Sequence, residues 1–238
     1  IPLYTFKGYL AHRTNYGVFP GESKYAGREW EGFTNEFGYA FYSSWNPINA
    51  HPQGFEKGGT YRHGLLVDVE KFSAVHAEWF YDWLVLSQIY DPLIAYDPCD
   101  ASKYVNWLTE SYEVLTWDNA GTNCTKLRFH LRPNILWHDD EVFDADDVVF
   151  SFQYLKDQVS IAWSWALMYF DHAVAVDDLT VDIYYNTLSV WALSWARIVM
   201  IPKHIWEGKD AATWNPEEHD KVIGTGAFMC YKDGVVGR

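Results

Sequence analysis

The chain has 238 residues and a formal net charge of -14 at pH 7, a balance that repels a phosphate backbone and excludes nucleic acid as a partner. Although 49% of the residues are hydrophobic, no apolar run approaches the roughly 18 residues that a membrane span needs. The opening Ile1-Pro2-Leu3-Tyr4 has no basic leader, so any signal or anchor is expected to lie outside this chain.

Aromatic residues make up 18% of the chain, with 13 Trp, 17 Tyr and 14 Phe, enough to build thick cores or to line a site for sugars or peptides. Three cysteines, Cys99, Cys124 and Cys230, have no Cys-x-x-Cys spacing, which excludes a zinc knuckle or a thioredoxin-type motif and leaves room for one disulfide and one thiol. Asn123-Cys124-Thr125 satisfies the glycosylation sequon, a triplet that also arises by chance.

Residues 1–58 are rich in Gly and aromatics and read as irregular structure, turns and short strands. The texture changes at Gly58-Gly59: residues 60–72 ("TYRHGLLVDVEKF") predict a strand, and Glu78 to Tyr90 predicts a helix, its apolar residues at 79, 80, 83, 84, 86 and 89 and its end at Pro92. Alternation of Leu127, Phe129 and Leu131 with charged or ionisable residues predicts a half-buried strand over Lys126–Arg132, stopped by Pro133.

A turn at His138-Asp139-Asp140-Glu141 follows, and Asp144 is placed to cap a helix whose buried stripe is Val148, Val149, Phe152 and Leu155. Asp146 and Asp147 then fall where the helix dipole favours negative charge. The acids of residues 138–147 look at first like metal ligands or acid/base groups, but their positions assign most of them to folding: His138 is a turn residue, and the Gly and Asp-x-Asp-x-Asp spacing of a calcium loop is absent.

Residues 172–186 predict two strands joined at Asp177-Asp178, with Val181, Ile183 and Tyr185 on one face and Thr180, Asp182 and Tyr184 on the other. "VWALSWARIVM" is a short apolar helix or strand, Pro202 opens a helical turn at "KHIWEG", and "VIGTGAFMCYKDG" is a Gly-rich turn running into a strand. An α/β or mixed α+β fold with antiparallel pairing follows.

The order of these pieces resembles the family 5 extracellular solute-binding proteins, the oligopeptide-binding components of ABC importers. Four stretches carry the resemblance: "LSQIYDPLIAYDP", "FHLRPNILWHDDEVFDADDVVFSFQYL", "AVDDLTVDIYY" followed by "IPKHIWEG", and "IGTGAF". Two residues depart from the signature, Asp140 where Gly is usual and Asp144 where Thr is usual; Asp caps a helix as well as Thr, whereas at 140 a non-Gly residue must take the turn.

Family members are roughly twice as long. The resemblance therefore implies a periplasmic-binding-protein-like first lobe over residues 59–238, with a mixed sheet and an inserted smaller α+β subdomain at about 75–175. The second lobe is then missing from this chain, and residues 1–58 form an aromatic, Gly-rich extension. It further implies an extracellular, cell-surface or periplasmic protein that captures an oligopeptide or oligosaccharide by hinge closure and delivers it to ABC permease subunits. No catalytic residue, metal or cofactor is implied, and the membrane is reached only through an anchor or permease outside the chain.

Positions matching the crevice of such proteins are Ala77, Glu78, Trp79 and Trp83, with Glu78 available to a ligand ammonium and Trp79 or Trp83 to a ring. Packing within the helix, and for Glu78 the helix dipole, explain the same residues structurally. Two other classes compete: a secreted carbohydrate-active enzyme using carboxylates such as Asp139 and Asp146, and a non-catalytic cell-surface interaction module. Nickel- and haem-binding relatives exist as well, but the nine histidines here are scattered without i, i+4 ligand spacing on a predicted helix.

Overall fold

A computed structural model describes residues 23–25, 28–30, 67–97, 100–231 and 234–237. The chain divides into two units, Ile1–His63 and Gly64–Arg238. In the first, β1 (Ser23–Tyr25) and β2 (Arg28–Trp30) form an antiparallel hairpin with Lys24 opposite Glu29; the remaining readings on residues 1–66 lie outside the described residues.

The second unit has the element order α1 (Phe80–Leu86), β3 (Ile94–Asp97), β4 (Asp100–Asn106), β5 (Thr109–Asn119), β6 (Thr122–Leu131), α2 (Ala145–Asp157), α3 (Ser164–Leu167), β7 (Phe170–Asp177), β8 (Thr180–Tyr185), α4 (Ala192–Trp195), α5 (Lys203–Trp206), a 3-10 turn (Pro216–His219), β9 (Phe228–Tyr231) and β10 (Gly234–Gly237). Every described strand pairing is antiparallel: β3 with β4, β9 with β10, and a four-stranded sheet in the order β5-β6-β8-β7.

The period-2 pattern decides the two faces of that sheet. Leu127, Phe129 and Leu131 of β6 lie beside Val181, Ile183 and Tyr185 of β8, all at most 2% exposed, and α2 closes this face with Val148, Phe152 and Leu155, each fully buried. The Phe152 ring meets Phe170 of β7 at 5.3 Å. Removing these side chains from water at about 25 cal/mol per Å² is the main term holding the unit together.

The opposite face carries charge. Asp182, 3% exposed, receives a two-pronged Arg128 guanidinium at 2.6 and 2.8 Å and the Lys126 ammonium at 3.0 Å. Burial opposes its charge, but Arg128 and Lys126 outweigh burial and hold the Asp182 carboxyl below its ordinary range. Beside it His172 stacks on Tyr184 at 4.3 Å, with Trp117 edge-on to both.

The helix at Ala145 begins as its acids require. Asp144 accepts from the Asp146 and Asp147 amides while Asp147 reaches back to the Asp144 amide, closing a capping box. Asp140 takes the left-handed conformation at φ 68, which Asp tolerates better than most residues.

Two expectations are corrected. Residues 67–72 form no strand: the Glu70 and Lys71 amides donate to the Asp82 carboxylate of α1, at 2.8 and 3.4 Å, rather than to a neighbouring chain. The helix predicted over 78–90 spans only Phe80–Leu86, because the carbonyls of Gln88 and Ile89 turn away to accept from Phe228 and Gly226.

Candidate ligand-binding face

The stretch from the 137–147 turn to the final Gly-Thr-Gly turn is bound into one structure by two side chains. Asp147, 5% exposed, accepts from the Trp137 indole at 3.0 Å, the Lys203 amide at 2.9 Å and the Asp144 amide at 3.3 Å. Burial pushes its carboxyl up, against the pull of those donors. His138 spans the Gly-Thr-Gly turn: its Nδ1 accepts from the Gly224 amide at 3.2 Å and its Nε2 donates to the Gly226 carbonyl at 2.8 Å, an arrangement that fixes the proton on Nε2.

The same turn is pressed onto the end of α1. A Cβ added at Gly224 would stand 1.9 Å from the Ile89 carbonyl oxygen, and one at Gly226 would stand 2.4 Å from that of Gln88, so both positions require glycine for close backbone approach. Thr225 adds a hydrogen bond from its hydroxyl to Asp91 at 3.1 Å. Burial pushes the Asp91 carboxyl up to about 6, while hydrogen bonds from Trp107 and Thr225 pull the other way.

Asp139 and Asp146 do not face each other across a shared group. Asp139 meets His204 at 2.9 Å and Asp146 meets Lys203 at 3.0 Å, both partners belonging to α5. Among the described residues, no group of three or more His, Cys, Asp or Glu side chains stands close enough to hold a metal ion. Cys124 is a free, buried thiol; Cys99 lies outside the described residues.

The residues expected at a crevice gather at the start of α1. Ala77 is fully buried, and its carbonyl accepts from the Trp83 indole at 3.2 Å. Glu78 is exposed. Trp79, the residue preceding the first helical turn, is 60% exposed. Trp83 follows one turn later, half-buried, with its ring edge-on to Trp163 at 4.9 Å.

Packing adds two residues that the sequence reading did not single out. Trp163 is held by its indole donating to the Ala74 carbonyl at 3.1 Å, and Trp165, 45% exposed, lies 6.5 Å ring to ring from Trp163. Phe80, the first residue of α1, is 50% exposed and meets Tyr81 edge-on at 5.6 Å.

An antiparallel sheet backed by a helix, with its Trp-His-Asp turn locked onto a Gly-Thr-Gly turn, is consistent with the periplasmic-binding-protein-like lobe that the resemblance implies, although the described pairings are antiparallel rather than mixed. Residues 103–234 match the sequence model of the bacterial extracellular solute-binding proteins, family 5 (middle region). The chain belongs to that family. No curated protein sequence matches it.

Solved structures agree on the fold. NikZ from Campylobacter jejuni in complex with Ni(L-His) is 23% identical with a TM-score of 0.56, over 70% of this chain and 31% of that one. MoaA from A. tumefaciens in complex with mannopinic acid is 26% identical with a TM-score of 0.55, over 68% and 32%. The ABC transporter substrate-binding protein CtaP from Listeria monocytogenes is 26% identical with a TM-score of 0.54, over 69% and 32%. The chain thus spans about a third of the length of these relatives. No helix among the described residues is long and apolar enough to cross a membrane.

Proposed function

We propose that this chain supplies one lobe of an extracellular substrate-binding protein that captures an oligopeptide or an oligosaccharide and delivers it to the permease of an ABC importer. The supporting observation is the aromatic content at the start of α1: Trp79 is 60% exposed and Phe80 50% exposed, and Trp83 of the same helix packs against Trp163, which in turn lies beside the partly exposed Trp165. Glu78 beside them offers a carboxylate to a ligand ammonium, and the indole faces suit either a sugar ring or an apolar side chain.

The mechanism follows from the family architecture. A second lobe closes over the ligand, and the closed state is favoured only by contacts made when both lobes touch it. No bond chemistry is proposed for the chain: Asp144 and Asp147 are committed to the helix cap and a buried donor set, and Asp139 and Asp146 to His204 and Lys203 of α5. Residues 1–58 are proposed as a separate extension, and residues 75–175 as the smaller subdomain of the lobe.

A thermal-shift panel of short peptides, cello- and manno-oligosaccharides and a nickel–histidine chelate on the two-lobed protein tests the reading. A matching ligand at about 100 times its dissociation constant raises stability by roughly 2.7 kcal/mol. Trp79→Ala removes little packing and is expected to leave the melting temperature unchanged while weakening that ligand at least about tenfold. A panel without any shift, or a Trp79→Ala protein that binds as tightly as the parent, refutes it.

A further inference from the structure

Between the 71–76 turn and the 211–218 segment lies a cavity of about 260 Å³, lined by Lys71, His76, Trp214, Asn215 and Glu218 among others. We propose that it is a binding site for a single zwitterionic α-amino acid, separate from the aromatic residues at the start of α1. The volume is below the roughly 300–1,000 Å³ of pockets for drug-sized ligands, which selects a small molecule.

The walls are cross-linked before any ligand arrives. The His76 imidazole joins the Ser73 hydroxyl, 2.8 Å from Nδ1, to the Ala211 carbonyl at Nε2. A carbonyl can only accept, so Nε2 carries the proton and Nδ1 accepts from Ser73. The Phe72 amide donates to the Glu217 carboxylate at 3.4 Å, and the Ala211 amide to the Gln158 side chain at 3.1 Å. A site held this way loses little freedom on binding.

Two opposite charges remain on the lining. The Lys71 ammonium donates to the His76 carbonyl at 3.3 Å, which occupies one of its three N–H groups. Among the described residues the Glu218 carboxylate has neither an ion-pair nor a hydrogen-bond partner, and it does not pair with Lys71.

Glu218 is exposed and Lys71 half-buried, so water solvates both charges before a ligand binds; a neutral sugar displaces that water without an opposite charge for either group, and a plain anion supplies one only for Lys71. An α-amino acid carries its carboxylate and its ammonium on one carbon, so the first meets Lys71 and the second meets Glu218. The Trp214 indole, braced edge-on by Trp206 at 4.8 Å, then offers an apolar wall to the amino-acid side chain.

Calorimetric titration of the intact chain with each common α-amino acid tests this. At least one is expected to bind, with Lys71→Met and Glu218→Gln each weakening it by about 10- to 100-fold, the loss of one charge-assisted contact. The N-acetyl amide of the same amino acid, which lacks both charges, is expected not to bind. The proposal is overturned if no amino acid binds at millimolar concentration, if both variants bind as the parent does, or if the blocked analogue binds equally well. Repeating the titration with Trp79→Ala separates this site from the start of α1: unchanged amino-acid affinity supports two sites, and a lost one refutes their separation.

Discussion

Replacing Asp147 by Ala removes the one acceptor shared by three parts of the lobe. The Trp137 indole, the Lys203 amide and the Asp144 amide each lose a hydrogen bond to it. Lys203 opens α5, so its amide has no intrahelical acceptor to fall back on. An unmet buried donor costs about 1–3 kcal/mol, which for three partly coupled donors gives a gross loss of about 4 kcal/mol. Against this, the variant no longer buries a carboxylate whose pKa burial has raised, which offsets part of that loss. The net expectation is about 3 kcal/mol of destabilisation, or roughly 6–12 °C in melting temperature for a unit of this size. Asp147→Asn keeps one acceptor but turns an N–H toward a donor, so it recovers only part of the loss. Urea unfolding followed by tryptophan fluorescence reads both variants, and an Asp147→Ala midpoint indistinguishable from the parent would refute the assignment.

The two kinds of glycine separate in the same assay. Gly224→Ala meets the rigid Ile89 carbonyl at 1.9 Å and is expected to cost at least about 2 kcal/mol. Gly121→Ala, with open space around it but φ +87, is expected to cost only about 1 kcal/mol; equal costs would refute the close-approach argument. Arg128→Met strips the two-pronged partner from buried Asp182 and is expected to cost about 2 kcal/mol, with Lys126 retained as the remaining cation; a cost within 0.5 kcal/mol, the usual range for an exposed residue, would deny the pair its role.

Asp91 supplies the pH dependence. Its carboxyl is raised to about 6 in the fold, so between about pH 4 and 6 the folded chain binds a proton that the unfolded chain has released, and its contribution to stability falls as pH rises through that window. Asp91→Asn is expected to remove a component of up to about 3 kcal/mol from the pH profile, and parallel profiles for the two proteins would contradict the buried-carboxylate reading.

Local chemistry made the helix start at Asp144, the stop at Pro133 and the hairpin at Asp177-Asp178 legible in the sequence, because each depends on residues within a turn of one another. The role of His138 was legible only as a turn, since its partners Gly224 and Gly226 lie 86 and 88 residues away. Strand β5 escaped notice for a different reason. At the edge of its sheet both its faces are partly wet, so its side chains are mostly exposed or half-buried and show no clean alternation. A signal was nevertheless present in Asn119-Ala120-Gly121-Thr122, where φ 50 and φ 87 at the central pair make the tight hairpin turn to β6. At the start of α1, Glu78, Trp79 and Trp83 came from resemblance, whereas Trp163 is tied to Ala74 across 89 residues and no local pattern announces it.

Strand β5 also bears on how the molecule behaves in a crowd. Among the described residues it is an outer strand of its sheet, eleven residues long, the kind of rim on which a second copy could nucleate a fibril. Exposed Glu110, Glu113 and Asp118 stud it with negative charge, and copies carrying -14 overall repel one another at any such approach. Coulombic standoff is therefore expected to guard this rim, and concentrated salt, which shortens the reach of that repulsion, to weaken the guard.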